Sequence, residues 1–208
     1  MWFHWQALQG GFSEDSFRFV FADLYDYFDL QTREERRALR EMMSHLLKRW
    51  KKVDTDRDGL IDEAEFLGYV RELEFDASLG QLLFKQFDVN RDGRVEFVEL
   101  ASACFALQRL AEQGDHEDPG MIGEREIRDA YRFYAGGLDA VSRSQVHELL
   151  RLGCELSIPP EIERHFGRPG REEGLGLDDF ASLYREQKNY LMRPLAVACS
   201  LAIRLLGG

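Results

Sequence analysis

Two stretches of twelve residues, 54–65 and 88–99, repeat one arrangement of oxygen-bearing side chains that a regular helix or strand would leave in mutual repulsion. In the first, Asp54, Asp56, Asp58, Asp62 and Glu65 occupy positions 1, 3, 5, 9 and 12, with Gly59 at position 6. The second places Asp88, Asn90, Asp92, Glu96 and Glu99 at the same positions, with Gly93 at position 6. Only a tight turn brings such side chains to one point, and the glycine at its bend supplies the positive φ that a Cβ resists.

Converging carboxylates require a cation, and this pattern selects among cations. Calcium is a hard ion that takes six to eight oxygens in flexible geometry, and the position-7 carbonyls, here Leu60 and Arg94, add to the side-chain donors. The long side chains of Glu65 and Glu99 reach back with both oxygens, which raises the coordination number above the six that magnesium prefers. The spacing therefore predicts two calcium ions, one per loop.

Charge placement agrees with that expectation. The chain carries a formal −11, and residues 54–118 hold six Lys/Arg against seventeen Asp/Glu, which accounts for the whole excess. Acid concentrated in this way excludes a nucleic-acid footprint, which needs a basic face.

The flanks of both loops read as helices. Thr32 with Glu35 forms a capping box, after which Leu39, Met43, Leu46, Trp50 and Val53 recur at helical spacing up to the first loop. Phe66, Tyr69, Val70 and Leu73 follow that loop; Leu82, Leu83, Phe84 and Phe87 precede the second, and Phe97, Leu100, Ala101 and Phe105 follow it. The loops begin 34 residues apart, so helix, loop and helix form an internal repeat. Ile61 and Val95, both at position 8, are β-branched and are expected to pair across a short β-bridge.

With these two loops and their aromatic flanks, the chain resembles the EF-hand superfamily of calmodulin-like and sarcoplasmic calcium-binding-like proteins. The resemblance implies an all-α fold built from two pairs of helix-loop-helix units, the first calcium-competent and the second degenerate, with extra helical segments at both ends. The expected divisions are an aromatic N-terminal extension at 1–31, the calcium-binding pair at 32–112, a polar linker at 113–120, the degenerate pair at 121–187 and an apolar or amphipathic helix at 188–208.

The second half keeps the helix-loop-helix rhythm without the acids. Aligning Val141 at position 8 puts Tyr134, Gly136, Leu138 and Gln145 at positions 1, 3, 5 and 12, and Asp139 at the glycine position, so this unit is expected to be silent. In the last unit Leu175 falls one residue late; Glu172, Glu173, Asp178 and Asp179 are its only candidates for a weak ion.

No catalytic constellation stands out, so an enzyme is not expected. Five scattered histidines lack metal-ligand spacing, and Gly167–Gly170 lacks the ending of a phosphate loop. Three cysteines without CxxC spacing suit buried thiols in a reducing, intracellular and cytoplasmic setting. The apolar run near the C-terminus is too short to span a bilayer. It is expected to dock within the chain, ahead of a partner or a membrane surface.

The asymmetry of one metal-responsive pair and one silent pair favours a calcium sensor or regulatory subunit, with a protein target or complex as partner. On that reading calcium would expose Met42, Met43, Trp50 and Phe105. The alternatives are a calcium buffer of the sarcoplasmic type and an EF-hand protein that encloses an organic or luminescent ligand.

Overall fold

The computed structural model describes residues 14–114, 122–154, 158–167 and 174–206, with side chains described over 21–112, 122–151, 158–167 and 174–205. These residues form nine helices and one short sheet. The first half comprises α1 (Glu14–Tyr27), α2 (Arg33–Val53), β1 (Ile61–Asp62), α3 (Glu63–Glu72), α4 (Ala77–Phe87), β2 (Arg94–Val95) and α5 (Phe97–Gly114). The second comprises α6 (Glu124–Ala135), α7 (Arg143–Cys154), α8 (Pro160–Phe166) and α9 (Leu177–Leu206).

Local signals set the start of α2. Thr32 is its N-cap and accepts from the Glu35 amide at 3.1 Å, while Glu35 Oε2 accepts from the Thr32 amide at 2.9 Å. Such a box satisfies two amides that the helix itself leaves without partners. Glu35 also meets Arg125 of α6 at 2.6 Å, so the cap ties the two halves together. The Thr32 amide foremost, helped by Arg125 and the Thr32 hydroxyl, holds the Glu35 carboxyl down at about 2 although desolvation pushes it up.

One apolar core runs through both halves. Leu39, Met42, Met43, Leu46, Trp50 and Val53 of α2 are buried, and Trp50 meets Phe97 edge to face. Phe66 contacts both Phe84 and Phe87, and Phe28 joins Phe105. Phe133, Tyr134, Phe180 and Tyr184 continue the core into the second half.

One expected division differs from the observed helices, and another falls beside a break in one. The stretch read as a linker from residue 113 begins inside α5, which continues to Gly114; residues 115–121 lie outside the described residues. The apolar segment assigned to 188–208 starts next to a break in α9 (Leu177–Leu206), where Gln187 leaves helical geometry (φ −125°, ψ 26°) and separates two helical stretches. Pro194 within α9 removes one amide donor. The sequence favoured docking of this segment within the chain, and α9 does pack against α2, α5, α6, α7 and α8. Of the aromatic N-terminus, Phe28 is buried and Phe21 and Tyr25 are partly so; Trp2, Phe3, Trp5 and Phe12 lie outside the described residues.

A buried charge cluster joins the halves. Asp129 of α6 is fully buried; its Oδ1 accepts from Arg132 at 3.0 Å, and its Oδ2 lies 3.1 Å from Arg109 Nε of α5 in an ion contact. Arg109 donates to the Phe28 carbonyl at 3.2 Å, and Arg132 donates to the Tyr27 carbonyl. Burial raises the Asp129 carboxyl above its ordinary range, although both guanidiniums pull it down. Asp129→Asn is expected to destabilise the chain by about 3 kcal/mol, because it leaves two partly buried guanidiniums without their anion. Urea unfolding of the two proteins measures the difference.

Candidate metal centre

Both loops fold around their own amides before any ion is considered. In the first, Asp54 Oδ2 accepts from Gly59 at 3.2 Å, Asp56 Oδ1 from Asp58 at 3.1 Å, and Asp58 Oδ1 from Leu60 at 2.9 Å. In the second, Asp88 Oδ2 accepts from Gly93 at 2.9 Å, Asn90 Oδ1 from Asp92 at 2.9 Å, and Asp92 Oδ1 from Arg94 at 2.9 Å. The position-5 carboxylates thus hold the amides of Leu60 and Arg94, the residues whose carbonyls the sequence proposed as donors. Gly59 and Gly93 adopt φ of 87° and 81°, a region that side chains resist.

The two loops stand back to back through β1 and β2, where Ile61 pairs with Val95 and Asp62 with Arg94 in antiparallel register. This is the pairing the sequence implied. Asp62 also caps α3, accepting from the Glu65 amide at 2.8 Å, while Glu65 Oε2 accepts from the Asp62 amide at 3.2 Å.

Each position-12 glutamate closes its loop end to end. Glu65 Oε1 accepts from the Thr55 amide at 2.7 Å, the Thr55 hydroxyl at 2.8 Å and the Asp56 amide at 3.3 Å. Glu99 Oε1 accepts from the amides of Val89 and Asn90, both at 3.1 Å, and Oε2 from that of Glu96 at 2.9 Å.

The donor set suits a hard cation. Oxygens of Asp54, Asp56 and Asp58 lie within 4.8 Å of one another. Asp54 is 8% exposed, and its Oδ1 is buried without a hydrogen-bond partner. Leaving such an oxygen unpaired costs about 1–3 kcal/mol, and more when it is charged. A cation bound among these carboxylates removes that penalty. The residues that would hold it are Asp54, Asp56, Asp58, Asp62 and Glu65, and in the second loop Asp88, Asn90, Asp92, Glu96 and Glu99, with backbone carbonyls completing the shell.

Two contacts escaped the sequence reading. Arg94 was considered for its carbonyl, yet its guanidinium crosses to the first loop and meets Asp58 Oδ2 at 2.9 Å. The strand register, which sets Arg94 opposite Asp62, was the available clue. Thr55 binds Glu65 through its hydroxyl, whereas Val89 at the same position of the second loop offers only its amide.

The second half is built differently. Val141 and Leu175 exchange both backbone hydrogen bonds, each 2.9 Å, as an isolated antiparallel bridge. Gln145 accepts from the Ser142 amide at 2.8 Å and donates to the Ala135 carbonyl at 2.9 Å, closing its loop with neutral groups. Glu172 and Glu173, candidates for a weak ion in the last loop, lie outside the described residues; Asp178 is exposed and Asp179 half-buried.

Comparison with known proteins agrees with this geometry. Residues 43–105 match the family model of the EF-hand domain pair. A mitochondrial adenyl nucleotide antiporter, SLC25A24-A of Xenopus laevis, is 26% identical over 57% of this chain and 27% of its own length. EF-hand calcium-binding domain-containing protein 6 of Mus musculus is 29% identical over 74% of this chain and 10% of its own length. Calbindin of Rattus norvegicus is 27% identical over 67% of this chain and 56% of its own length. The match therefore spans between a tenth and just over half of these relatives. The chain thus carries an EF-hand domain pair at residues 43–105 and is similar to EF-hand calcium-binding proteins.

The two position-12 carboxyls differ in acidity. Burial, reinforced by Glu96 and Asp88 and opposed by the amides of Glu96 and Asn90, pushes Glu99 up to about 7. Burial acts on Glu65 too, but the Thr55 hydroxyl and the amides of Thr55, Asp62 and Asp56 outweigh it and keep this carboxyl below its usual range. A ligating Glu99 must be deprotonated, so calcium uptake at the second loop is expected to tighten as pH rises through 7 and to release a proton below it. The first loop is expected to show neither effect near neutrality. Calcium calorimetry in buffers of different ionisation heat, with Glu65→Gln isolating the second loop, measures the protons released.

Proposed function

We propose that this protein takes up two calcium ions, one in each of loops 54–65 and 88–99, while its apolar groove stays closed, as in a calcium buffer. The observation that carries this reading is the placement of α9. Leu191, Leu195, Leu201 and Leu205 are each no more than 1% exposed, beneath a helix packed on α5 and α2 of the EF-hand pair. Polar contacts fix it: Arg204 donates to the Leu73 carbonyl at 2.8 Å, and Cys199 Sγ to that of Leu107 at 3.1 Å.

Energetics favour the closed state over the sensor that the sequence alone suggested. Burial of the four leucines stabilises the docked helix by roughly 6–12 kcal/mol. Two micromolar ions supply about 16 kcal/mol in all, but only the difference between their affinities for the open and closed states drives opening. Met42, Met43, Trp50 and Phe105 are all buried here, on the two helices, α2 and α5, against which α9 packs.

The second half serves this reading as a degenerate EF-hand pair. Gln145 replaces the position-12 acid and bonds the loop directly, and Tyr134 at position 1 donates into the core, to the Leu191 carbonyl at 2.8 Å. Its task is to hold α9 in place. The reading assigns no catalytic residue. It sets the protein inside the cell, in keeping with Cys104 and Cys199, buried free thiols pushed up to about 12 by burial. Among the described residues no helix is long and apolar enough to cross a membrane.

Apolar dye binding and the heat-capacity change on calcium addition test the proposal together. Saturation with little new dye binding and a small heat-capacity change is the expected result. A large rise in dye fluorescence, abolished by Glu65→Gln with Glu99→Gln, would instead establish the sensor.

A further inference from the structure

The acidic chain carries one strongly basic helix. On α2, residues Arg33, Arg37, Arg40, Lys48 and Lys51 are all exposed, and helical geometry places them within about 80° of arc along about 27 Å. The buried residues Leu39, Met42, Met43, Leu46, Trp50 and Val53 occupy the opposite face. At its N-terminal end the stripe opens into a concavity of about 500 Å³ lined by Tyr25, Arg33, Glu34, Arg36, Arg37 and Arg40.

Few carboxylates answer this charge. Arg37 pairs with Glu41 at 2.7 Å. Arg40 donates to the Tyr25 hydroxyl at 3.0 Å, and Arg36 donates to the Leu30 carbonyl at 2.9 Å while stacking over the Tyr25 ring. Among the described residues, no ion pair engages Arg33, Arg36, Arg40, Lys48 or Lys51. Glu34 and Glu41 are the acids that share this face. In a chain with 38 Asp/Glu against 27 Lys/Arg, cations without carboxylates concentrate on one helix.

The geometry points to α2 as a docking surface for an anionic lipid bilayer, with the Arg33 to Arg40 concavity seating a phosphate-bearing headgroup. Guanidinium groups match phosphate oxygens bidentately, and several converge there. Beyond the concavity the stripe follows one side of α2, which presents its cations along a single exposed face. At physiological salt, charges farther than about 8 Å are screened, so the stripe and not the net charge governs the approach.

The test uses the full chain in chelator, so that calcium cannot bridge lipid to the acidic loops. Co-sedimentation is measured with vesicles of phosphatidylcholine alone, and of phosphatidylcholine mixed with phosphatidylserine and phosphatidylinositol bisphosphate. Binding is expected only to the anionic vesicles. Combined Arg33→Gln, Arg37→Gln, Lys48→Gln and Lys51→Gln should weaken it at least about a hundredfold, at roughly fivefold per cation. The same charge removed elsewhere, by Arg151→Gln, Arg164→Gln, Arg185→Gln and Arg193→Gln, should leave binding unchanged. Absence of binding to anionic vesicles, or equal loss in both variants, overturns the proposal. Capture of a poly-glutamate peptide without vesicle binding also overturns it, and assigns the stripe to an acidic protein partner.

Discussion

The antiparallel pairing of Ile61 with Val95 is the constraint on which the first half depends. Two-residue strands contribute little stability by themselves, yet this pair fixes the two loops back to back. Once they are fixed, the exit helix of one loop and the entry helix of the other must meet over a shared core, here through Phe66 against Phe84 and Phe87. The same pairing lets Arg94 reach Asp58 across the loops. Electrostatics and packing therefore enter through one short ladder, and a change at either loop acts on the other through it.

The loops store unfavourable charge that the rest of the fold tolerates. Asp54 and Asp88 are mostly removed from water, at 8% and 6% exposure, and Asp54 keeps an oxygen without a partner. Glu96 and Glu99 are both pushed above the usual carboxylate range by burial and neighbouring acid. Backbone amides offset part of this, since every side chain at positions 1, 3 and 5 accepts from its own loop. What the amides leave uncompensated is negative charge around a small common volume, the condition that a divalent cation relieves.

Much of this was legible in the sequence because its signals are local. The Thr32 and Glu35 box, the twelve-residue spacing and the β-branched position-8 residues act over few bonds, and each appears where its chemistry requires. Glu65 and Glu99 were recognisable by spacing, but their different acidity was not, because it depends on how deeply each is buried and on the Thr55 hydroxyl, which Val89 lacks at the same position of the second loop. The Asp129 cluster lay beyond reach, since Arg109 reaches Asp129 from the preceding helix and both arginines are anchored on the carbonyls of Phe28 and Tyr27, far away in sequence.

Native mass spectrometry of the calcium-saturated chain tests the central claim most directly, with Glu65→Gln and Glu99→Gln measured alongside it. The account predicts two ions on the parent chain and one on each variant, the lost ion belonging to the substituted loop. A parent chain with no bound calcium, or variants that keep both ions, would contradict it.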